Sequence, residues 1–168
     1  MDTAGLLMDA YGRIHEIVHH AVGNLNAEQL AYRPDPDANS IAWLVWHLTR
    51  VQDDHVADVA GTEQIWTSGG FHNRFGLPFA VSDTGYGHRS GEVAAVQVDG
   101  RDLLGYHDAV HDHSRAFVSK LTDAELDRIV DERWDPPVSL GVRLVSVISD
   151  NLQHAGQAAY VRGMNQRL

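Results

Sequence analysis

Two side chains with metal-ligand chemistry lie four residues apart in a stretch that its apolar spacing predicts to be helical, from Leu144 to Gly163. At about 100° per residue, Asp150 and His154 share one side of that helix. The apolar line beside them consists of Leu140, Leu144, Val147 and Ala158. Burial of a carboxylate and an imidazole costs free energy unless each finds a partner. The partner would be the other group, a third polar side chain, or a metal ion whose remaining ligand comes from another helix.

A third ligand of the same kind lies in the segment Ser40-Ile-Ala-Trp-Leu-Val-Trp-His47-Leu. This segment belongs to a second predicted helix, which begins at Asn39 or Ser40, both good N-caps, and ends near Gly61. His47 falls at the edge of the buried arc of that helix. The arc consists of Ile41, Leu44, Leu48, Val51 and Val59.

His47, Asp150 and His154 together supply two imidazoles and one carboxylate. Alone, His47 would be interpreted as a core histidine that is hydrogen-bonded to a carboxylate such as Asp54. Three protein ligands leave a coordination position open for water or substrate, as in a catalytic rather than a structural zinc site. The same donors accept nickel or iron, so ligand type does not identify the metal. An open divalent ion acts as a Lewis acid and lowers the pKa of a bound water or thiol.

The composition excludes several classes of function. A net charge of -10 argues against a nucleic-acid or anionic-membrane surface, which needs clustered Lys and Arg. No apolar run approaches the roughly 20 residues that span a bilayer. The N-terminus has no basic region followed by an apolar one, so the cytoplasm is the expected location. Cysteine is absent, and any thiol chemistry would therefore need a thiol supplied by a small molecule.

Four long amphipathic segments position these residues and predict a single domain over residues 1–168 with an all-α, four-helix-bundle fold. The first helix would run from Leu6 to about Leu25, and the third from Glu92 to about Lys120. The connection from Gly61 to Gly91 lacks periodicity and is rich in glycine and aromatic residues. A connection of this length is typical of a lid or binding loop, and a surface excursion packed on its own aromatics is the alternative.

Other polar side chains on these helices have two interpretations each. His15 and His19 lie four residues apart on the flank of the first helix, a spacing that suits two metal ligands or a partly solvated helix surface. His107 lies inside the apolar stripe of the third helix, as a satisfied core histidine or a substrate-contacting group. Arg143 would hold a carboxylate of a thiol or substrate, or pair with a surface acid. Asp54 is a further substrate-binding candidate.

Four segments of the chain resemble the DinB-like superfamily, and the likeness covers nearly the whole chain. They are Ser40-Ile-Ala-Trp-Leu-Val-Trp-His47-Leu, Gln52-Asp53-Asp54-His55, Arg133-Trp-Asp-Pro-Pro-Val-Ser-Leu-Gly-Val-Arg143-Leu and Asp150-Asn-Leu-Gln-His154-Ala-Gly-Gln157-Ala-Ala-Tyr160. The resemblance is closest to the actinobacterial branch near mycothiol-dependent maleylpyruvate isomerase. In such proteins a histidine of the second helix and two residues four apart on the last helix hold a divalent metal, often zinc or nickel. His47, Asp150 and His154 match those positions, although many relatives have histidine, and the isomerase glutamate, in place of Asp150.

The resemblance implies a divalent-metal-dependent thiol S-transferase or a thiol-dependent isomerase. It implies zinc first, with nickel as the alternative, and mycothiol as the thiol cosubstrate. The connection from Gly61 to Gly91 would then shape the pocket for the electrophile, and a homodimer is a further expectation. The rival hypothesis is a noncatalytic bundle of DinB type, either a metal-binding stress protein or a dimerising module in which the polar triad is only a core network. Metal content and thiol turnover separate these alternatives.

Overall fold

The computed structural model describes residues 2–165. Within this range, eight α-helices, one 3-10 helix and a two-stranded antiparallel hairpin follow one another along the chain. In order, they are α1 (Thr3–Val22), α2 (Ala27–Ala31), α3 (Ile41–Ala60), α4 (Ile65–Ser68), α5 (Phe71–Phe75), α6 (Ser90–Ala95), α7 (Gly100–Val118), the 3-10 helix (Asp123–Asp127), β1 (Ile129–Asp131), β2 (Val138–Ser139) and α8 (Leu140–Asn165). The long helices α7 and α8 both pack against α1 and α3. The predicted four-helix bundle is confirmed, and none of the described helices has the length and apolarity that crossing a bilayer requires.

Helix α3 is buried far more completely than an ordinary amphipathic helix. It begins where the sequence predicts, with a cap from the Ser40 hydroxyl, and ends at Gly61 in the left-handed region at φ +67°. Every residue from 41 to 50 is buried, rather than a single arc. Helices α7 and α8 cover part of the surface of α3, and the connection that follows α3 covers a further part. The indole of Trp46 packs on rings from that connection, namely Trp66 and Phe79.

The third long helix begins later than its sequence pattern predicts. A continuous helix from Glu92 to Lys120 is wrong, because α6 ends at Ala95 and α7 begins only at Gly100. The Asp99 carboxylate caps α7 by accepting a backbone N–H at 2.8 Å. Val96 and Val98 lie in the connection between α6 and α7, and both are buried. Their apolar spacing therefore reflects a packed non-helical segment and not a helix face.

The ends of the first and last helices differ slightly from the sequence pattern. Helix α1 ends at Val22 rather than near Leu25, because Gly23 follows it and the Asn26 side chain then caps α2. Helix α8 begins at Leu140, directly after strand β2 and one turn before the predicted start. Both ligand positions of α8 consequently lie well inside the helix, away from its fraying ends.

The connection from Gly61 to Gly91 contains α4, α5 and an aromatic cluster. The rings of Trp66, Phe71 and Phe75 contact the ring of Tyr106 on α7 at centroid separations of 5.1, 5.0 and 5.8 Å. All four side chains are buried. The first half of the connection thus packs on its own aromatics and on α7.

A buried ion pair on α3 fixes the same connection. Arg50 and Asp53 have no exposed side-chain surface and lie 3.6 Å apart. The Asp53 carboxylate accepts three hydrogen bonds, from the backbone N–H groups of Ile65 and Trp66 and from the hydroxyl of Tyr106. The Arg50 guanidinium donates to two groups of the connection, the Gln64 side chain and the Asp83 carbonyl. Because buried charges are costly unless they are paired and hydrogen-bonded, this network determines where the connection attaches to α3.

His107 lies on α7 in the bundle core, with 1% of its surface exposed. Its Nδ1 is 3.1 Å from the Thr49 hydroxyl oxygen, and that hydroxyl donates to the Val45 carbonyl. The Nδ1 of His107 must therefore be the donor, which leaves its Nε2 as a bare acceptor. Burial lowers the pKa of His107 to about 3, and burial also lowers the pKa of His111, one turn further along α7, to about 4.

Acid should therefore destabilise the fold through His107. The unfolded chain takes up a proton on this imidazole below its ordinary pKa of 6.5, whereas the folded chain resists protonation down to about pH 3. The contribution of the neutral His107 to the free energy of unfolding is thus fully present above pH 6.5 and falls as the pH decreases toward 3. We expect the titration of His107 alone to lower the free energy of unfolding by about 2 kcal/mol when the pH is decreased from 7 to 5.

Urea unfolding of the metal-free protein at pH 7 and pH 5 measures this loss. His107→Gln keeps a hydrogen-bond donor in place of the imidazole and has no group that titrates in this range. The pH-dependent loss should be smaller in this variant by about 2 kcal/mol. An identical loss in the wild type and the variant would show that His107 does not resist protonation in the folded protein.

Candidate metal centre

The first candidate ligand, His47, is oriented by a backbone carbonyl from the connection. Its Nδ1 lies 2.5 Å from the Thr84 carbonyl oxygen. A carbonyl oxygen only accepts, so Nδ1 carries the proton and Nε2 keeps its lone pair. The buried ring also stacks on Trp43, with ring centroids 4.7 Å apart. A carbonyl that fixes the tautomer and the ring plane is a usual second partner of a metal-binding imidazole.

A glycine permits this contact between His47 and the connection. Gly85 has φ +93°, and a Cβ built on it would lie 2.9 Å from His47 Nδ1 and 2.9 Å from the Trp46 ring. Both the backbone conformation and the space exclude a side chain at this position. The Gly85 N–H donates to the Asp83 carboxylate at 2.8 Å, so the turn that presents Thr84 is held by its own residues.

Asp150 and His154 face each other one turn apart on α8. His154 Nε2 lies 3.5 Å from Asp150 Oδ1, and His154 Nδ1 lies 2.8 Å from the Gln157 side-chain oxygen. A proton on Nδ1 that is donated to Gln157 leaves Nε2 as the metal-facing nitrogen. The rings of His154 and His47 are 4.8 Å apart and nearly perpendicular, at 75°.

These three side chains meet the elementary requirements of a metal centre. One ligand atom from each of His47, Asp150 and His154 lies within 4.8 Å of the other two. Asp150 Oδ2 is buried and finds no hydrogen-bond partner among the described residues. A buried carboxylate oxygen without a partner is costly, and a cation at this point would satisfy it. The residues present therefore fit a divalent ion bound by two imidazoles and one carboxylate.

Burial and charge act in opposite directions on the three groups. Desolvation lowers the pKa of His47, whereas the hydrogen bond with Asp150 raises the pKa of His154. Burial alone would raise the pKa of Asp150, but the His154 hydrogen bond and the neighbouring imidazoles lower that pKa overall. Near neutral pH the site thus has an ionised carboxylate and an uncharged His47. A proton on His154 competes with a bound metal ion.

A cavity of about 900 Å³ opens beside the candidate ligands and is lined in part by His47 and Asp150. Its volume is in the range of pockets that bind small molecules. Two aromatic side chains in its lining are largely exposed, Tyr86 at 93% and Trp134 at 66%. Its charged and amide-bearing lining residues are Asp54, Asp58, Gln64, Asp131, Arg133, Arg143 and Asp150. The cavity therefore offers both charged groups and flat apolar surface next to the ligands.

Arg143 lines this cavity, and its side chain is 11% exposed. Its guanidinium lies 3.3 Å from the Asp131 carboxylate and 3.2 Å from the Asp58 carboxylate. The ion pair that was the alternative interpretation of Arg143 is thus present. Two carboxylates already share the guanidinium, so a substrate carboxylate would have to compete with them or join them.

Asp54 and His107, the other candidate substrate-binding residues, lie in different places. Asp54 lines the cavity and accepts a hydrogen bond from the Gln64 side chain at 2.7 Å. It is not the partner of His47, whose Nδ1 is bound by Thr84 instead. His107 lies in the core against Thr49 and does not line the cavity.

Three residues that shape the site were not among the sequence-predicted candidates. They are Thr84, which contributes only its carbonyl, Gly85, which contributes only its lack of a side chain, and Asp83, which holds the turn. The available signal was the run Asp83-Thr-Gly-Tyr-Gly-His88, in which two glycines and an aspartate are typical of a tight turn. Nothing in that run indicates which helix the turn contacts.

Comparisons with known proteins identify the family of this chain. A family model described as the DinB superfamily matches residues 10–158, a range that contains all three candidate ligands. A solved structure, the crystal structure of a conserved protein from Enterococcus faecalis, is 28% identical to this chain, with a TM-score of 0.88 and coverage of 96% of each chain. No curated protein matches the sequence. The chain therefore belongs to the DinB superfamily, which is metal-binding in general.

Proposed function

We propose that this protein is a divalent-metal-dependent thiol S-transferase or thiol-dependent isomerase, in which His47, Asp150 and His154 hold the ion. The observation that supports this most directly is that one ligand atom from each of the three side chains lies within 4.8 Å of the other two. Asp150 Oδ2, which is buried and has no hydrogen-bond partner among the described residues, adds to this support. Two imidazoles and one carboxylate suit zinc, which we expect first, and also nickel. Three protein ligands leave room for an exogenous donor, and the adjacent cavity leaves room for its substrate.

The nucleophilic sulfur must come from a small molecule, since the chain contains no cysteine. A free thiol with a pKa of about 8.5 is mostly protonated at neutral pH, and a bound divalent ion would lower that pKa. The sulfur forms a bond to an electrophilic carbon, and its proton goes to the neighbouring carbon of an activated alkene or to solvent as a halide leaves. An isomerase would add the thiol to a double bond and eliminate it again. The resemblance to the actinobacterial branch favours mycothiol.

The residues of the cavity would orient the two substrates. Arg133 and Arg143 both contact Asp131 at the cavity wall, at 2.7 and 3.3 Å, and a substrate carboxylate would join this pair of guanidinium groups. Tyr86 and Trp134 would cover a flat apolar group of the electrophile. Thr84 and Gln157 keep the proton of each ligand imidazole on Nδ1, so that Nε2 stays available.

Thiol transfer tests this proposal directly. The metal-loaded wild type, the chelated wild type and metal-treated His47→Ala are compared with mycothiol and other low-molecular-weight thiols at equal concentration, using an activated alkene and a haloaromatic. We expect the loaded wild type to react faster by roughly tenfold or more, because a lowered thiol pKa increases the thiolate fraction. His20→Ala, which replaces an exposed histidine on α1, is the matched control and should behave as the wild type.

The results also separate the enzyme from the noncatalytic alternative. If metal binds but none of the thiols reacts faster across the electrophile panel, the protein is a metal carrier and the transferase proposal is wrong. Equal acceleration by His47→Ala would place the chemistry away from this centre. Circular dichroism of the chelated protein provides the folding control, because the apolar stripes should maintain the helices without metal.

A further inference from the structure

A second cluster of metal-ligating side chains lies between α1 and α7. His15 and His19 project from adjacent turns of α1, and Asp108 projects from α7. The Oδ1 atom of Asp108 lies 2.9 Å from His15 Nε2 and 2.6 Å from His19 Nε2. One ligand atom from each residue is within 4.8 Å of the other two. None of the three lines the cavity beside the first centre.

Four imidazole rings lie close together at this cluster. The ring of His15 lies 4.3 Å from the ring of His19, 4.3 Å from that of His111 and 5.7 Å from that of His107. His107 and His111 are buried, whereas the side chains of His15, His19 and Asp108 are 30%, 39% and 45% exposed. The three converging groups therefore lie at the solvent edge of a histidine cluster between α1 and α7.

A buried imidazole beside the cluster also lacks a hydrogen-bond partner for one of its nitrogens. The Nε2 atom of His107 is buried and finds no hydrogen-bond partner among the described residues. Its Nδ1 is already used by the Thr49 hydroxyl, so the ring has no further donor to offer. A buried acceptor without a partner costs free energy, so the side chains of this histidine cluster do not satisfy one another completely.

Two hydrogen bonds to one carboxylate oxygen could by themselves attach α1 to α7. This arrangement requires both imidazoles to hold their proton on Nε2, although their rings are only 4.3 Å apart. A divalent ion would take the place of both Nε2 protons, with each imidazole neutral and its proton on Nδ1, and the carboxylate would offset one of the two positive charges of the ion. Two histidines at i and i+4 on one helix present their nitrogens to the same point, which is a common way to bind transition metals.

We propose that His15, His19 and Asp108 form a second divalent-cation site, selective for imidazole-binding metals such as zinc, nickel or copper. Magnesium and calcium are disfavoured because they prefer sets of oxygen ligands. The exposure of all three side chains makes the site accessible from solvent, so its ion exchanges more readily than the ion of the first centre. Because α1 supplies two ligands and α7 supplies one, bound metal joins the two helices and stabilises the bundle.

Untagged His47→Ala/His154→Ala protein isolates this second site from the first. Titration with Cu²⁺, followed by electron paramagnetic resonance, should show one bound ion with couplings from two imidazole nitrogens. Adding His15→Ala and His19→Ala should weaken Cu²⁺ binding on the order of 100-fold or more. Asp108→Asn preserves the shape of the side chain and should weaken Cu²⁺ binding less. His20 is exposed and lies next to His19, and adding His20→Ala should leave Cu²⁺ binding unchanged.

Thermal melts supply a second readout that does not depend on the first centre. Ni²⁺ at about 100 times its dissociation constant should raise the melting temperature of the isolating variant by about 5–10 °C, and this rise should vanish with His15→Ala/His19→Ala. If the isolating variant does not fold, the wild type should bind one more ion than His15→Ala/His19→Ala. Absence of Cu²⁺ binding to the isolating variant, or equal binding after His15 and His19 are replaced, would overturn the proposal.

Discussion

His47→Ala should lose divalent metal from the first centre, with an affinity lower than that of the wild type on the order of 100-fold or more. Loss of a residue that merely orients a ligand already costs 10- to 100-fold, and this substitution removes one of three ligands. It also leaves Asp150 and His154, both on α8, without any donor from α3. These two ligands on a single helix would bind an ion weakly and exchange it rapidly.

Elemental analysis after gel filtration measures this effect. The wild type should retain about one tightly bound divalent ion per chain, and His47→Ala close to none, because an ion at the more exposed cluster of His15, His19 and Asp108 exchanges during filtration. Competition with a chromogenic chelator then gives the ratio of affinities. His20→Ala should match the wild type, since this exposed imidazole lies on α1 and belongs to neither cluster. Equal retention by His47→Ala and the wild type would mean that the tightly bound ion lies elsewhere.

The features that could be predicted from the sequence are those that depend on helical periodicity. Apolar residues at helical spacing indicate which face of each helix is buried, and His47, Asp150 and His154 fall at the edges of two such faces. A bundle brings these edges together, so helical spacing makes the histidine of α3 and the two residues of the distant α8 candidates for one site. The resemblance to the DinB-like superfamily supports that grouping. The ends of α3 could be predicted as well, because serine before a helix and glycine after it are local signals of the helix termini.

Features that depend on how non-helical segments pack could not be predicted in this way. The break before α7 contains buried valines on a non-helical backbone, and valine is also typical of a buried helix face. Thr84 orients His47 through a backbone carbonyl, which any residue possesses, so its identity carries no signal. The meeting of His15 and His19 with Asp108 depends on the relative height of α1 and α7, which neither helix determines alone.

The buried pair Arg50 and Asp53 was missed because charged residues are usually interpreted as solvated. Its importance comes from the connection that covers it, since Asp53 accepts two backbone N–H groups at the start of α4. Arg50 in turn holds the carbonyl of Asp83, directly before Thr84. A change at Asp53 should therefore affect the metal centre without touching any ligand.

Asp53→Asn should lower the unfolding free energy by about 3–5 kcal/mol. Removing one partner of a fully buried pair leaves the charge of Arg50 uncompensated. Asparagine keeps the shape of the side chain but has only one oxygen for the acceptor role that two oxygens fill, so a backbone N–H or the Tyr106 hydroxyl also loses its partner. Urea unfolding at pH 7 measures the difference.

The neighbouring substitution Asp54→Asn is the matched control. Asp54 is partly exposed at the cavity, and Gln64 is its one side-chain hydrogen-bond partner among the described residues, so loss of that bond should cost about 1 kcal/mol or less. Replacing Arg50 by leucine together with Asp53→Asn should cost less than the sum of the two single changes, because no buried charge then remains unpaired. If Asp53→Asn destabilises the protein no more than Asp54→Asn does, the buried pair does not hold the connection in place. If the expected loss is found, metal affinity should fall with it, because the turn that carries Thr84 loses its attachment to α3 and His47 loses the carbonyl that orients it.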